Sequence, residues 1–162
     1  MAREKWKTNI NNVWNAWEYY IAARLSAEDF ITTITLGRAE RYDIIAVSPK
    51  WRTIKISVKT RYDIKQSPNI FRLSQKDENK ADDDTFYAFV RLKKFESEPD
   101  FRIVPASLVA ELTRKSHQCW LNWKNTRKDT TMRTFSLKRI EWYPLNREIE
   151  VEKYKENLDL LK

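Results

Sequence analysis

Residues 40–60 read ERYDIIAVSPKWRTIKISVKT. Two apolar, β-branched runs, Tyr42–Val47 and Thr53–Thr60, flank the turn formers Ser48-Pro49-Lys50, so the stretch reads as a hairpin. Side chains alternate along a strand. Ile54, Ile56 and Val58 therefore share one face, and Lys55, Ser57 and Lys59 share the other. Asp43, on the neighbouring strand, can reach the point that Ser57 and Lys59 face. Taken singly, Asp43 suits a strand edge or a turn, and Lys59 suits an exposed strand whose edge it protects. Together they place an acid and a base at one spot in an otherwise apolar hairpin.

Upstream, residues 8 to about 25 are predicted to form a helix, capped by Thr8 or Asn9. Ile10, Val13, Trp14, Trp17, Ile21 and Leu25 recur at three- and four-residue spacing and define its buried face. Glu18 sits near the edge of that stripe. Phe30–Leu36 reads as a strand broken by Gly37.

Downstream, residues 61–80 are expected to be polar and irregular, and the acidic run Asp82–Asp84 to cap or precede the next strand. That strand, Thr85–Leu92, is apolar enough to be central. Phe101–Val104 is a short strand, and Pro105 opens a helix at about 106–118, with His117 near its end. A basic, aromatic extension begins at about residue 119. The tail from about 150 to 161 reads as a weak amphipathic helix with Tyr154, Leu158 and Leu161 on one face. At 162 residues, without repeats or a clear linker, the chain is expected to be a single α/β domain with a mixed sheet.

Composition narrows the chemistry. The net charge is +8, and the excess is concentrated in residues 111–140, where Arg114, Lys115, Lys124, Arg127, Lys128, Arg133, Lys138 and Arg139 face only Glu111 and Asp129. Such a balance points to a polyanionic partner, with nucleic acid the commonest. One glycine excludes a phosphate-cradling glycine loop, and one histidine excludes paired-histidine phosphodiester chemistry. One histidine and one cysteine exclude a zinc cluster, and the single Cys119 excludes an internal disulfide. Chemistry must then rest on carboxylates, lysine and an oxygen-bound metal. No apolar run is long enough for a membrane span, and the N-terminal residues lack the apolar core of a signal peptide, so a cytoplasmic location is expected.

The chain resembles the PD-(D/E)XK nuclease superfamily, which includes restriction enzymes and Holliday-junction resolvases. The resemblance rests on Glu18 in the first helix, Tyr42-Asp43-Ile44-Ile45 as the acidic strand and Ile56-Ser57-Val58-Lys59-Thr60 as the lysine strand, and it spans roughly residues 10–120. It implies a restriction-endonuclease-like mixed sheet flanked by helices. It also implies a Mg²⁺- or Mn²⁺-dependent endonuclease acting on DNA, with an active site of Glu18, Asp43, Ser57 and Lys59 and with the metal on Glu18 and Asp43. A homodimer is plausible by the same analogy, because cutting both strands of a duplex usually takes two sites.

Ser57 departs from the pattern, since the family usually has Glu, Asp or Gln at that position. Either Glu18 supplies the second carboxylate, with Glu40 and Asp63 as nearby substitutes, or the chain keeps the fold and binds nucleic acid without cutting it. A structural protein whose charge serves solubility is the third reading. Candidate nucleic-acid contacts are Lys76 in the loop after the third strand, and Trp123, Lys124, Arg127 and Lys128, where aromatics lie between cations. Trp120 is expected to be core.

Overall fold

The structure, a computed structural model, describes residues 10–35, 42–62, 69–80, 82–92, 99–123, 127–137 and 151–162, without the side chains of residues 10–14, 62 and 92. Helix α1 (Ile10–Ser26) leads into β1 (Ile31–Ile34), β2 (Ile44–Val47) and β3 (Thr53–Tyr62). These three strands form an antiparallel meander with Ile31 opposite Val47 and Ile44 opposite Ile56. Strand β5 (Thr85–Leu92) lies parallel to β3, and β6 (Asp100–Pro105) closes the sheet antiparallel to β5. The order β1-β2-β3-β5-β6 is the mixed sheet expected from the sequence.

The hairpin turns as its residues dictate. The Ser48 hydroxyl oxygen accepts the N–H groups of Lys50 and Arg52 at 3.3 and 3.2 Å. Trp51 takes the left-handed φ of 66° that closes the loop.

Two cores lie on the two faces of the sheet. On one, Ile21 and Leu25 of α1 pack on Ile44, Ile54, Ile56, Phe86 and Ala88, with Leu158 and Leu161 of the tail. On the other, Tyr87 and Phe89 meet Phe71, Leu73, Val109, Leu112 and Phe135. Strand β5 contributes alternate residues to both cores, so its near-continuous apolar sequence is that of a strand buried on both sides. The Trp17, Ile21 and Leu25 part of the α1 face and the Ile54, Ile56 and Val58 face of β3 pack in the first core as the alternation predicts. The proposed cap at Thr8 or Asn9 lies outside the described residues, as does Gly37.

Four expectations fail. Residues 61–80 are not irregular: β3 runs on to Tyr62, β4 spans Ile70–Ser74, and a 3-10 helix spans Gln75–Asn79. Helix α2 (Ala106–Trp123) continues well past residue 118. The basic stretch beyond it contains β7 (Met132–Ser136), which pairs antiparallel with β4. Phe71 and Phe135 from this ribbon lie 4.9 and 4.4 Å from the Phe89 ring, each contact worth about 1 kcal/mol beyond its burial.

The tail is not an amphipathic helix. It lies along β6, with the Ile103 N–H on the Tyr154 carbonyl at 3.0 Å, and ends in a 3-10 turn at Asp159–Leu161. Tyr154, Leu158 and Leu161 are buried, but not on one face: Tyr154 packs in the second core, and Leu158 and Leu161 in the first.

Candidate active site

The sheet presents Asp43 where β2 parts from β3. The Asp43 N–H donates to the Ile56 carbonyl at 2.9 Å, and its Oδ2 accepts the Val58 N–H at 2.6 Å. The carboxylate therefore stands in for a strand carbonyl, which explains how an acid sits half-buried at the end of an apolar ladder. Thr35 fixes the same point from β1: its hydroxyl donates to the Tyr42 carbonyl at 2.6 Å, and its N–H to the Asp43 carbonyl at 3.0 Å. One Asp43 oxygen is thus used in the ladder, and Oδ1 has no hydrogen-bond partner among the described residues.

Glu18 of α1, Asp43 and Lys59 of β3 line a single cleft of about 550 Å³, together with Arg61 and with Ile70, Phe71 and Arg72 of β4. The three residues come from three elements that only the fold brings together. Burial is the main cause lifting the Glu18 carboxyl above its usual range; the Asp43 carboxylate adds to it, and the Lys59 ammonium pulls the other way. The Lys59 side chain makes no hydrogen bond or ion pair with the described residues.

Ser57 does not line the cleft. It is only 2% exposed, and its place in the sheet is beside Tyr87. Glu40 and Asp63, the other acids considered from the sequence, lie outside the described residues. Among the described residues no group of three His, Cys, Asp or Glu side chains gathers to hold a metal. Among the described residues, the donor set in the cleft is a pair of carboxylates. Mg²⁺ keeps several waters and is commonly held by one or two carboxylates, so this oxygen-only pair fits Mg²⁺ or Mn²⁺ and does not suit zinc.

Sequence reading missed Asp77. Its Oδ1 accepts the Tyr87 hydroxyl at 2.5 Å, its Oδ2 accepts the Ser74 N–H at 2.8 Å, and Lys80 Nζ lies 3.4 Å away. Burial pushes the Asp77 carboxyl up, but the Tyr87 and Ser74 hydrogen bonds and the Lys80 and Lys59 charges outweigh it and hold the group below its usual range. Burial and the bond to Asp77 push the Tyr87 phenol far up, and the charge of Asp43 contributes. Lys59 therefore acts electrostatically on acids on both sides of it, Glu18 and Asp77. The signal was present: Ser74-Gln75-Lys76-Asp77 has the spacing of a capping box.

The remaining candidates lie elsewhere. Lys76 is exposed on the 3-10 helix and does not line the cleft. The Arg127 guanidinium lies 4.6 Å from the Trp120 ring and 4.7 Å from the Trp123 ring, so this cation is already stacked within the chain. Trp120 is half-buried, while Trp123 is 39% exposed. Lys128 is exposed, and Lys124 lies outside the described residues. His117 Nε2 lies 2.7 Å from Asp129, in mid-helix. Asp82 and Asp84 behave as strand-preceding residues: Asp82 accepts the Thr85 hydroxyl at 2.7 Å, and Asp84 pairs with Arg52 at 2.8 Å. No described helix is long and apolar enough to cross a membrane.

No family model and no curated protein matches the chain. Among solved structures it is similar to Hjc, a Holliday junction resolvase of Archaeoglobus fulgidus, at 14% identity over 83% of this chain and 89% of that one, with a TM-score of 0.45. It is also similar to a bacterial homing endonuclease, I-Ssp6803I, at 13% identity over 99% of this chain and 92% of that one, with a TM-score of 0.47.

Proposed function

We propose that the chain is a metal-dependent nuclease that hydrolyses phosphodiester bonds in DNA. One observation carries this reading: Glu18, Asp43 and Lys59, from α1, β2's leading end and β3, line the same cleft. Glu18 and Asp43 are the residues that would hold Mg²⁺ or Mn²⁺. When bound, the ion supplies an activated water and neutralises phosphate charge.

The chain's own residues do the rest. The Val58 N–H holds the Asp43 carboxylate, and the Thr35 contacts hold its backbone, before any ligand arrives, so little reorganisation is needed. Burial first, and the Asp43 carboxylate second, raise the Glu18 carboxyl, and a cation between the two acids would offset both. The Lys59 ammonium donates to the phosphate oxygen that gains charge as the water attacks. Lys76, Trp123, Lys124, Arg127 and Lys128 remain proposed contacts to more distant parts of the nucleic acid. Two copies of the chain would cut both strands of a duplex.

A second reading has its own support. Buried Ser57 stands where a third acidic ligand is usual, so a chain that binds DNA but does not cut it is the alternative. Incubating the protein with plasmid and branched DNA in Mg²⁺ or Mn²⁺, beside Lys59→Ala, separates the two. Cleavage by the wild type alone supports the nuclease. Binding without cleavage on any substrate supports the alternative.

A further inference from the structure

Strand β4 puts an arginine on the wall of the same cleft. Phe71 and Leu73 anchor the strand in the second core, and the alternation between them turns Arg72 outward. The Arg61 guanidinium donates to the Ile70 carbonyl and ties β4 to β3 beside Lys59. Arg72 is therefore carried on a rigid support.

Its surroundings set it apart. The other described arginines are engaged: Arg52 with Asp84, Arg91 and Arg102 with Asp100, and Arg133 with Glu78. Arg24 bonds the Tyr20 hydroxyl, Arg114 the Glu78 carbonyl, and Arg127 stacks between two Trp rings. Arg72 alone has no hydrogen bond, ion pair or ring partner among the described residues. It lines a cleft that also holds Glu18 and Asp43, yet pairs with neither. A guanidinium fork is an excellent partner for a carboxylate. One held apart from two carboxylates in a shared cleft leaves room for an anion between them.

We infer that Arg72 binds a backbone phosphate of DNA next to the one positioned at Lys59. Its fork would take two oxygens of that phosphate and hold the strand's register over the carboxylates. This is a positioning role, and it rests on the nuclease reading of the cleft.

The test is binding of a fluorescein-labelled DNA duplex by anisotropy, across a salt series and with a metal chelator to prevent cleavage. Arg72→Ala is expected to weaken binding about tenfold, the loss of one charge-assisted contact. It should also reduce the slope of log affinity against log salt by about one. Arg72→Lys should restore the slope and only part of the affinity, because the charge returns without the fork. Lys50→Ala, at the far end of the hairpin, should leave both unchanged.

If Arg72→Ala binds with wild-type affinity and slope, the inference is overturned and the nuclease reading stands. If the wild type binds and shows the Arg72 effect but never cleaves in Mg²⁺, the phosphate contact stands and the nuclease reading falls. A wild type that neither binds nor cleaves overturns both.

Discussion

Two acids flank Lys59, and the fold treats them in opposite ways. Asp77 has both oxygens occupied, by Tyr87, Ser74 and Lys80, and its carboxyl is held below the usual range. Glu18 is lifted above it, with Asp43 as an unfavourable neighbour. Burial disfavours the charge in both cases. What differs is whether the protein supplies compensating donors. At Asp77 it does, and the acid locks the 3-10 helix and β5 together. At Glu18 no hydrogen-bond donor among the described residues does, and the Lys59 charge only partly offsets the burial. A satisfied buried acid is architecture, whereas an unsatisfied one beside a cleft is the better candidate for ligand binding.

The largest expected effect falls on the cleft. Asp43→Asn keeps an acceptor for the Val58 N–H but removes the charge, and Lys59→Ala removes the donor. Each should lower single-turnover cleavage by about 10²–10³-fold while leaving the melting temperature nearly unchanged. A loss of activity that tracks a loss of folded protein would erase the contrast with Asp77.

Next is Asp77→Ala. It strands the buried Tyr87 hydroxyl and removes one ion pair from Lys80, and should cost about 2–3 kcal/mol in urea unfolding. Because the Asp77 pKa is lowered on folding, its contribution is fully present above the unfolded value of 3.8 and is lost as pH falls through the lower folded value. The stability gap between wild type and Asp77→Asn should therefore narrow below pH 3.8.

A smaller effect is expected at Ser57. If two carboxylates suffice for the metal, Ser57→Ala changes cleavage by less than about tenfold, the weight of one neutral hydrogen bond. A larger drop at saturating Mg²⁺ would make the hydroxyl part of the site.

The smallest effect has the opposite sign. Glu18 has a raised folded pKa, so the folded state holds its proton more tightly than the unfolded chain does. Wild-type stability is therefore eroded as pH rises from the unfolded value of 4.5 through the folded one. Glu18→Gln removes that cost. It should stabilise the protein at pH 7 by roughly 0.3 kcal/mol after solvent screening. Thermal melts at pH 4 and pH 7 check it, and equal shifts at both would remove the electrostatic cause.

The hairpin was the most legible part of the molecule, because period-two alternation and a Ser-Pro turn act over a few residues. The faces of β3 and the double burial of β5 followed from local pattern in the same way. Strands β4 and β7 were missed because each is a short ribbon strand that buries only part of its residues, with Arg72 exposed in one and Met132 in the other. Their sequences read as polar loop until Phe71 and Phe135 are placed on Phe89. The tail failed similarly, since three-to-four spacing also fits a segment pinned along a sheet edge.

From the sequence alone came a restricted set of chemistries. One histidine, one cysteine and one glycine leave carboxylates and lysine as the candidates, and the hairpin carries Asp43 and Lys59 on its two strands. Only the tertiary structure decided which acids stand together and in what state. The pKa of a carboxylate depends on the donors and charges that long-range packing brings to it. Those come from α1 for the cleft and from β4, the 3-10 helix and β5 for Asp77.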